Sequence, residues 1–148
     1  IIRELVSFTP SGKGTNISEA LRYLVGVNKK RATTFLLSDF INSEADMPKL
    51  EDALKIASAK HDIMAIRVFD KCDEHLPDVG IIEVEDAESG ERSWLDTSSR
   101  RVREFWAQQY AERNTAMASL LTHNRADMAE FATDGDYVKE LIKMFKKR

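Results

Sequence analysis

Thr15 and Asp39 are the residues whose types and positions invite a metal ion. Thr15 stands just ahead of a helix-like segment, and Asp39 follows the apolar run Phe35-Leu36-Leu37-Ser38. In an open parallel sheet the carboxyl ends of the strands form the edge where ligands bind. A hydroxyl and a carboxylate converging there suit a hard divalent cation such as Mg²⁺ or Mn²⁺, which takes oxygen ligands and keeps several waters. Spacing alone favours a plainer arrangement, in which Asp39 caps the next turn and Thr15 ends a loop, because Asp is a common turn former after a strand.

Three other groupings carry less. Ser11-Gly12-Lys13-Gly14-Thr15 suggests a phosphate loop, but Ser7 occupies the first glycine position and Gly14 follows the lysine, where a phosphate loop has Gly-Lys-Ser/Thr. Asp70, Cys72, Asp73, Glu74 and His75 crowd ligand-type side chains into six positions without a second ligand pair elsewhere, which reads as a solvated loop at a strand end. No Gly-x-Ser-x-Gly elbow exists, and Cys72 has no recognised nucleophile context, so hydrolytic chemistry is disfavoured.

The elements that must position these residues follow from periodicity. Ile2, Leu5 and Val6 continue a helical stripe begun at Ile1, and Asn16 with Glu19 three residues on predicts a capping box opening a helix with Ile17, Ala20, Leu21, Leu24 and Val25 on one face. Ala32 to Ser38 reads as a buried strand. A helix follows through Leu50, Leu54, Ile56 and Ala57 to Lys60, and then a second buried strand from Asp62 to Phe69, which together make the strand–helix–strand unit of a parallel sheet. Gly80 to Glu85 and Glu91 to Asp96, around Glu88-Ser89-Gly90, predict a hairpin. Asp96-Thr97-Ser98-Ser99 supplies caps for the longest helix, with Val102, Phe105, Trp106, Tyr110, Met117, Leu120 and Leu121 on its inner stripe. A weak strand from Asp127 to Ala132 and a helix capped by Thr133-Asp134-Gly135 complete the order. The class is α/β, a mostly parallel sheet flanked by helices.

Composition bounds the function. The chain has 148 residues, 22 Lys plus Arg against 25 Asp plus Glu, and a net charge of −3, which argues against a dedicated nucleic-acid binder. Its length suits one domain. No apolar run is long enough to span a membrane, and a single cysteine excludes an internal disulfide, which fits a cytoplasmic setting. The opening on a helical stripe without an initiator Met reads as a piece of a longer protein.

Several motifs carry a resemblance. Gly14-Thr15-Asn16-Ile17, Phe35-Leu36-Leu37-Ser38-Asp39-Phe40, His61-Asp62-Ile63, Leu76-Pro77-Asp78-Val79-Gly80, Asp86-Ala87-Glu88-Ser89-Gly90-Glu91, Trp94-Leu95-Asp96-Thr97-Ser98-Ser99 and Tyr137-Val138 through Phe145-Lys146-Lys147-Arg148 resemble the bacterial "domain of unknown function 58" family, which is von Willebrand factor A-like. The resemblance runs the whole length of the chain. It implies residues 1–148 as a single partial domain of Rossmann-like von Willebrand factor A-type fold, its N-terminal strands missing, with a β-hairpin insertion. In such domains a metal-ion-dependent adhesion site joins an Asp-x-Ser-x-Ser motif, a Thr and an Asp. Thr15 matches the second part and Asp39 the third. The first part is absent; Asp96-Thr97-Ser98-Ser99-Arg100 comes too late and has Arg where the second Ser belongs. The resemblance therefore implies weak or no cation binding by this stretch alone, and a sheet edge open to pairing with another chain, a second copy included.

Members of this kind are usually encoded beside MoxR-type AAA+ ATPases. The implied function is a non-enzymatic interaction or adaptor domain that meets a protein partner of that type through a bound Mg²⁺ or Mn²⁺, without a catalytic base. A rival keeps the fold without the metal: a scaffold docking through the hairpin around Trp94, or through the helix from Ser98 by Arg100, Arg101 and Arg103. A hydrolase or phosphotransferase at the same sheet edge ranks last. Trp106 and Tyr110 share the core stripe; Trp94 in the hairpin is the aromatic open to a partner.

Overall fold

Residues 2–9, 15–41, 46–86 and 90–146 are described by the computed structural model. Ile1, the Ser11-Gly12-Lys13-Gly14 stretch, the turn residues Glu88 and Ser89, Lys147, Arg148 and the Leu5 side chain lie outside them. In chain order the elements are α1 (Ile2–Ser7), α2 (Ile17–Val27), β1 (Thr33–Ser38), α3 (Met47–Lys60), β2 (Asp62–Phe69), α4 (Lys71–Glu74), β3 (Ile81–Glu85), β4 (Arg92–Asp96), α5 (Arg100–His123), β5 (Asp127–Ala132) and α6 (Tyr137–Lys146). Apart from α4 the expected order holds, and the bounds of β2 and β5 are those read from the sequence.

β1, β2 and β5 form a parallel sheet with β2 in the middle. Thr33 pairs with Asp62 through to Ser38 with Arg67, and Met64 with Asp127 through to Phe69 with Ala132. The middle position explains why Ile63 to Arg67 is buried without a break, since helices cover both faces of a central parallel strand. β1 corrects an expectation. Rather than being buried throughout, it alternates: Thr33, Phe35 and Leu37 are exposed while Thr34, Leu36 and Ser38 are half-buried. Its only strand neighbour among the described residues is β2, and the face carrying Phe35 and Leu37 is only partly covered.

Two apolar cores sit on opposite faces of the sheet. One gathers Ile17 and Leu21 of α2, Leu50, Ala53, Leu54 and Ala57 of α3, and Met117 and Leu121 of α5 over Ile63 and Ala65. Leu54 and Leu121 are wholly buried, each worth about 1.5–3 kcal/mol of transfer free energy. The other packs Met144 and Leu141 of α6 on Met64, Ile66, Ala129 and Phe131. Ala20, Ile56 and Phe105, expected on inner stripes, are exposed. Each stands one residue ahead of an inward-facing neighbour, and one residue turns a helix by about 100°, out of the buried arc.

Asn16 caps α2, its side chain accepting from the Glu19 amide at 3.0 Å and the Ser18 hydroxyl at 2.8 Å, which is one half of the expected capping box. Two other caps differ. Ser99 holds the N-cap position of α5 without a side-chain bond, because the Asp96 carboxylate takes the Ser98 amide and hydroxyl instead. Asp136, not Thr133-Asp134-Gly135, caps α6 by accepting from the Val138 and Lys139 amides. The expected loop at 70–75 contains the single helical turn α4, closed by a capping box between Asp70 and Asp73. The hairpin forms as expected, Ile81 opposite Asp96 and Glu85 opposite Arg92, in a sheet separate from the main one.

α5 ends in a Schellman motif. The Ala126 amide donates to the Leu121 carbonyl at 2.9 Å and the Arg125 amide to the Thr122 carbonyl at 3.0 Å, with Arg125 at φ 60°.

Candidate functional site

All three parallel strands run the same way, so their carboxyl ends share one edge, and oxygen-bearing residues follow each of them. β1 ends on Ser38 and Asp39 follows it. The Ser38 hydroxyl accepts from the Phe40 amide at 3.0 Å, and Asp39 Oδ1 accepts from the Ile41 amide at 3.1 Å and the Ser38 hydroxyl at 3.3 Å. Phe40, the next residue, has φ 57° yet is only 7% exposed. The left-handed region costs a bulky residue about 1–2 kcal/mol, a cost that burying the ring against the α2–α3 core offsets. The strained turn holds the exposed Asp39 carboxylate in one place. Backbone strain of this kind concentrates at functional sites, and no sequence pattern signalled it.

After β2 comes Asp70 and after β5 come Thr133 and Asp134. Asp70 accepts from the Cys72 amide at 2.8 Å and the Thr133 hydroxyl at 3.2 Å, while Lys71 Nζ lies 2.7 Å from Asp134. These bonds tie the β2 and β5 ends together. The Cys72 amide, then its thiol and the Thr133 hydroxyl, hold the Asp70 carboxyl below the ordinary carboxylate range. Asp70 in turn pushes the Cys72 thiol up, by hydrogen bond first and charge second, and Asp134 raises Lys71 in the same way. A raised thiol is the reverse of an activated nucleophile. Asp70 and Asp73 cap α4, so the segment read as a solvated loop is an exposed helical turn.

Thr15 is exposed directly ahead of α2, and Asp39 is exposed directly beyond β1. Both offer hard oxygen, the donor type that Mg²⁺ and Mn²⁺ accept. Among the described residues no group of three His, Cys, Asp or Glu side chains converges to form a ready-made cage.

A second surface lies at the hairpin and the start of α5. Wholly buried Thr97 clamps the hairpin base, its hydroxyl donating to the Gly80 carbonyl at 2.6 Å and accepting from the Val79 amide at 3.1 Å. Gly80 at φ 85° needs its missing Cβ there. Arg103 donates to the Thr97 and Ser98 carbonyls at 2.6 and 3.0 Å and pairs with Asp78 at 3.2 Å, so it binds the hairpin foot to the helix. Arg100 pairs within the helix with Glu104, and Arg101 is exposed. Asp96 is held below its ordinary range, by the Ser98 hydroxyl first and then the Ser98 amide. Trp94 stands 72% exposed on the outer hairpin face beside Ile81 and the Arg92–Glu85 pair. A shallow depression of about 350 Å³ between His75, Leu76, Arg100 and Arg103 lies alongside.

Trp106 and Tyr110, expected in the core from their stripe, are only half-buried and lie outside both apolar cores, because polar bonds hold each of them at the margin. Trp106 Nε1 donates to the Asp73 carbonyl at 2.7 Å. Tyr110 belongs to a network centred on Arg67, which sequence reading missed. Arg67 donates to Glu130 from Nε and Nη2, to the Tyr110 hydroxyl and to Asn114 Oδ1, and its guanidinium lies 4.5 Å from the Phe69 ring centre. The signal was an arginine inside the apolar strand Asp62–Phe69. His61, also missed, is 2% exposed, and neither ring nitrogen has a hydrogen-bond partner among the described residues.

No described helix is long and apolar enough to cross a membrane. Residues 1–116 match the family described as "Protein of unknown function DUF58". An uncharacterized protein of Mycobacterium avium is 25% identical over 139 residues, covering 94% of this chain and 79% of that protein. Uncharacterized proteins of Mycobacterium bovis and Mycobacterium tuberculosis are each 26% identical over 139 residues, and the chain spans only 42% of their length. No solved structure matches the chain.

Proposed function

From the premise that the chain belongs to the DUF58 family, whose function is unknown, we propose that it is a non-enzymatic adaptor domain that meets a protein partner through a divalent cation at the carboxyl edge of its parallel sheet. The observation that carries this reading is the strained turn at Phe40, which spends folding free energy to hold the Asp39 carboxylate at the strand end. Asp39 and Thr15 would hold Mg²⁺ or Mn²⁺, and a carboxylate of the partner would complete its shell. Such a contact requires neither a base nor a nucleophile. A von Willebrand factor A-like ancestry and a MoxR-type AAA+ ATPase as partner are the implications of the motif resemblance, and a cytoplasmic setting is what the single cysteine supports.

Paramagnetic Mn²⁺ tests the site even at low affinity. Selective broadening of the Thr15, Asp39 and Phe40 amide signals, reversed by Mg²⁺ and lost in Asp39→Ala, is the expected result; uniform or absent broadening would refute it. With a purified MoxR-type ATPase, binding should need the cation and fall at least about tenfold in Asp39→Ala.

A second reading has its own observation: Trp94 and Ile81 are exposed on one face of a hairpin that the Thr97 clamp and Arg103 hold rigid. Exposed aromatic anchors on fixed elements are typical binding hot spots. On this reading Trp94→Ala and charge reversal at Arg100 and Arg101 abolish partner capture while chelators leave it unchanged.

A further inference from the structure

The β3–β4 hairpin stands apart from the main sheet, and among the described residues no further strand pairs with either of its edges. Its register decides which backbone groups those edges present. The Thr97 amide donates to the Gly80 carbonyl at 2.8 Å and the Asp86 amide to the Glu91 carbonyl at 2.9 Å, so the bonded pairs fall at Gly80, Ile82, Val84 and Asp86. The alternate residues turn their amides and carbonyls outward: Ile81, Glu83 and Glu85 along β3, and Arg92, Trp94 and Asp96 along β4. β3 sets Glu83 and Glu85 on its edge, the charge that blunts natural edge strands. β4 reads Arg-Ser-Trp-Leu-Asp with neither proline nor bulge, and its Arg92 is turned across the hairpin to Glu85 at 2.8 Å. β4 is also the more exposed strand: only Leu95 in it is half-buried, against Ile82 and Val84 of β3.

We propose that two copies of this chain join through their β4 edges, antiparallel about a two-fold axis at Trp94, into one sheet of order β3-β4-β4-β3. The sequence of this edge is its own complement. With Trp94 opposite its mate, Arg92 lies opposite the partner's Asp96, once on each side of the axis. All three pairs bring outward backbone groups together, each exchanging two bonds, about six across the seam. A two-fold axis perpendicular to the sheet keeps every side chain on its own face, so the two indoles meet on the outer face. Each row beside them runs Glu85, Arg92, then the partner's Asp96, with unlike charges adjacent. A slip by two residues leaves these charges unpaired, and a slip by one sets outward groups against inward ones. The β3 edge fails the same test, since centring it on Glu83 sets two carboxylates face to face. Charge complementarity on both sides of the axis therefore singles out a second copy as the occupant of β4. The backbone bonds and the indole pair supply the affinity, and the ion pairs fix the register. The pairing is independent of cation binding at Asp39; it rests on the exposed hairpin face of the second reading and gives that face a copy of this chain as its partner.

Sedimentation velocity of the purified chain alone, across a concentration series, tests the pairing. The native chain should show a reversible monomer–dimer equilibrium. Trp94→Glu and Trp94→Lys should each weaken it about tenfold or more, because like charges then meet at the axis, and an equimolar mixture of the two should associate again. Recovery on mixing cannot arise from misfolding, and it requires residue 94 to face its own mate. In a Cys72→Ser background, mild oxidation should link Trp94→Cys to itself, whereas Ser93→Cys, which faces the partner's Leu95, should stay unlinked. Monomer at every concentration would overturn the proposal, as would a native dimer that Trp94→Glu leaves intact or a mixture that fails to recover. Partner capture that needs Trp94 in a chain monomeric throughout would overturn it too, and would leave the second reading standing.

Discussion

Removing Glu130 should destabilise the protein more than removing its buried partner Arg67. Their ion pair is closed at 2.7 Å, but the Arg67 side chain is 6% exposed and that of Glu130 is 52% exposed. Deleting one member of a buried pair costs about 3–5 kcal/mol when the remaining charge stays out of water. Glu130→Ala leaves that situation: the guanidinium keeps Tyr110 and Asn114 on Nη1 but loses its counter-charge on Nε and Nη2. The lower end, about 3 kcal/mol, is expected, because water can enter where the half-exposed carboxylate stood. Arg67→Met leaves a carboxylate that rehydrates and an apolar chain over the Phe69 ring, so about 1 kcal/mol is expected. For a chain of this size the former corresponds to a fall in Tm of about 6–12 °C. Urea melts at neutral pH give the free energies, provided the slope with denaturant is unchanged. The double variant should resemble Arg67→Met alone. Were Arg67→Met the more damaging, or the double variant additive, the assignment of the penalty to a stranded buried charge would be wrong.

Three further outcomes are expected. Arg125→Gly should stabilise by about 1 kcal/mol in the same melts, since the left-handed position closing α5 carries a side chain where glycine is strain-free. His61→Leu should raise the unfolding free energy by about 1 kcal/mol, because the buried imidazole makes no hydrogen bond among the described residues; a loss would show that it has a partner such as a bound water. Asp70, held below its ordinary 3.8 in the folded state, contributes stability that is present above that value and is lost as pH falls through its lowered pKa. Asp70→Asn should therefore flatten the acid limb below about pH 4, and it should also speed iodoacetamide alkylation of Cys72 at mildly alkaline pH by releasing the thiol from its raised pKa.

The element order and the parallel strand pair were legible in the sequence because they rest on local signals. Asn16 followed by Glu19 marks a helix start, and Leu50, Leu54 and Ala57 repeat at helical spacing. Asp62–Phe69 is apolar enough to be a central strand and too short to be a helix of ordinary length. Thr15 and Asp39 could be placed on loops at the right ends of their elements for the same reason. What could not be read depends on which element each side chain meets. The pattern of β1 resembles that of β2, yet β2 lies between two strands with helices over both faces, while β1 has only β2 as a strand neighbour among the described residues and one face partly covered, so one is buried and the other alternates. The arginine in β2 is tolerable only because Glu130 arrives from β5 and Tyr110 and Asn114 from α5, and those distant bonds are absent from any local window. Phe40 takes a left-handed backbone because the core draws its ring inward while Ser38 and Asp39 hold the turn, a balance of burial against strain set by tertiary packing. Local propensity and periodicity thus decided where each element begins and ends; the meeting of distant residues decided which faces are buried, which charges are paired and how the Asp39 carboxylate is held.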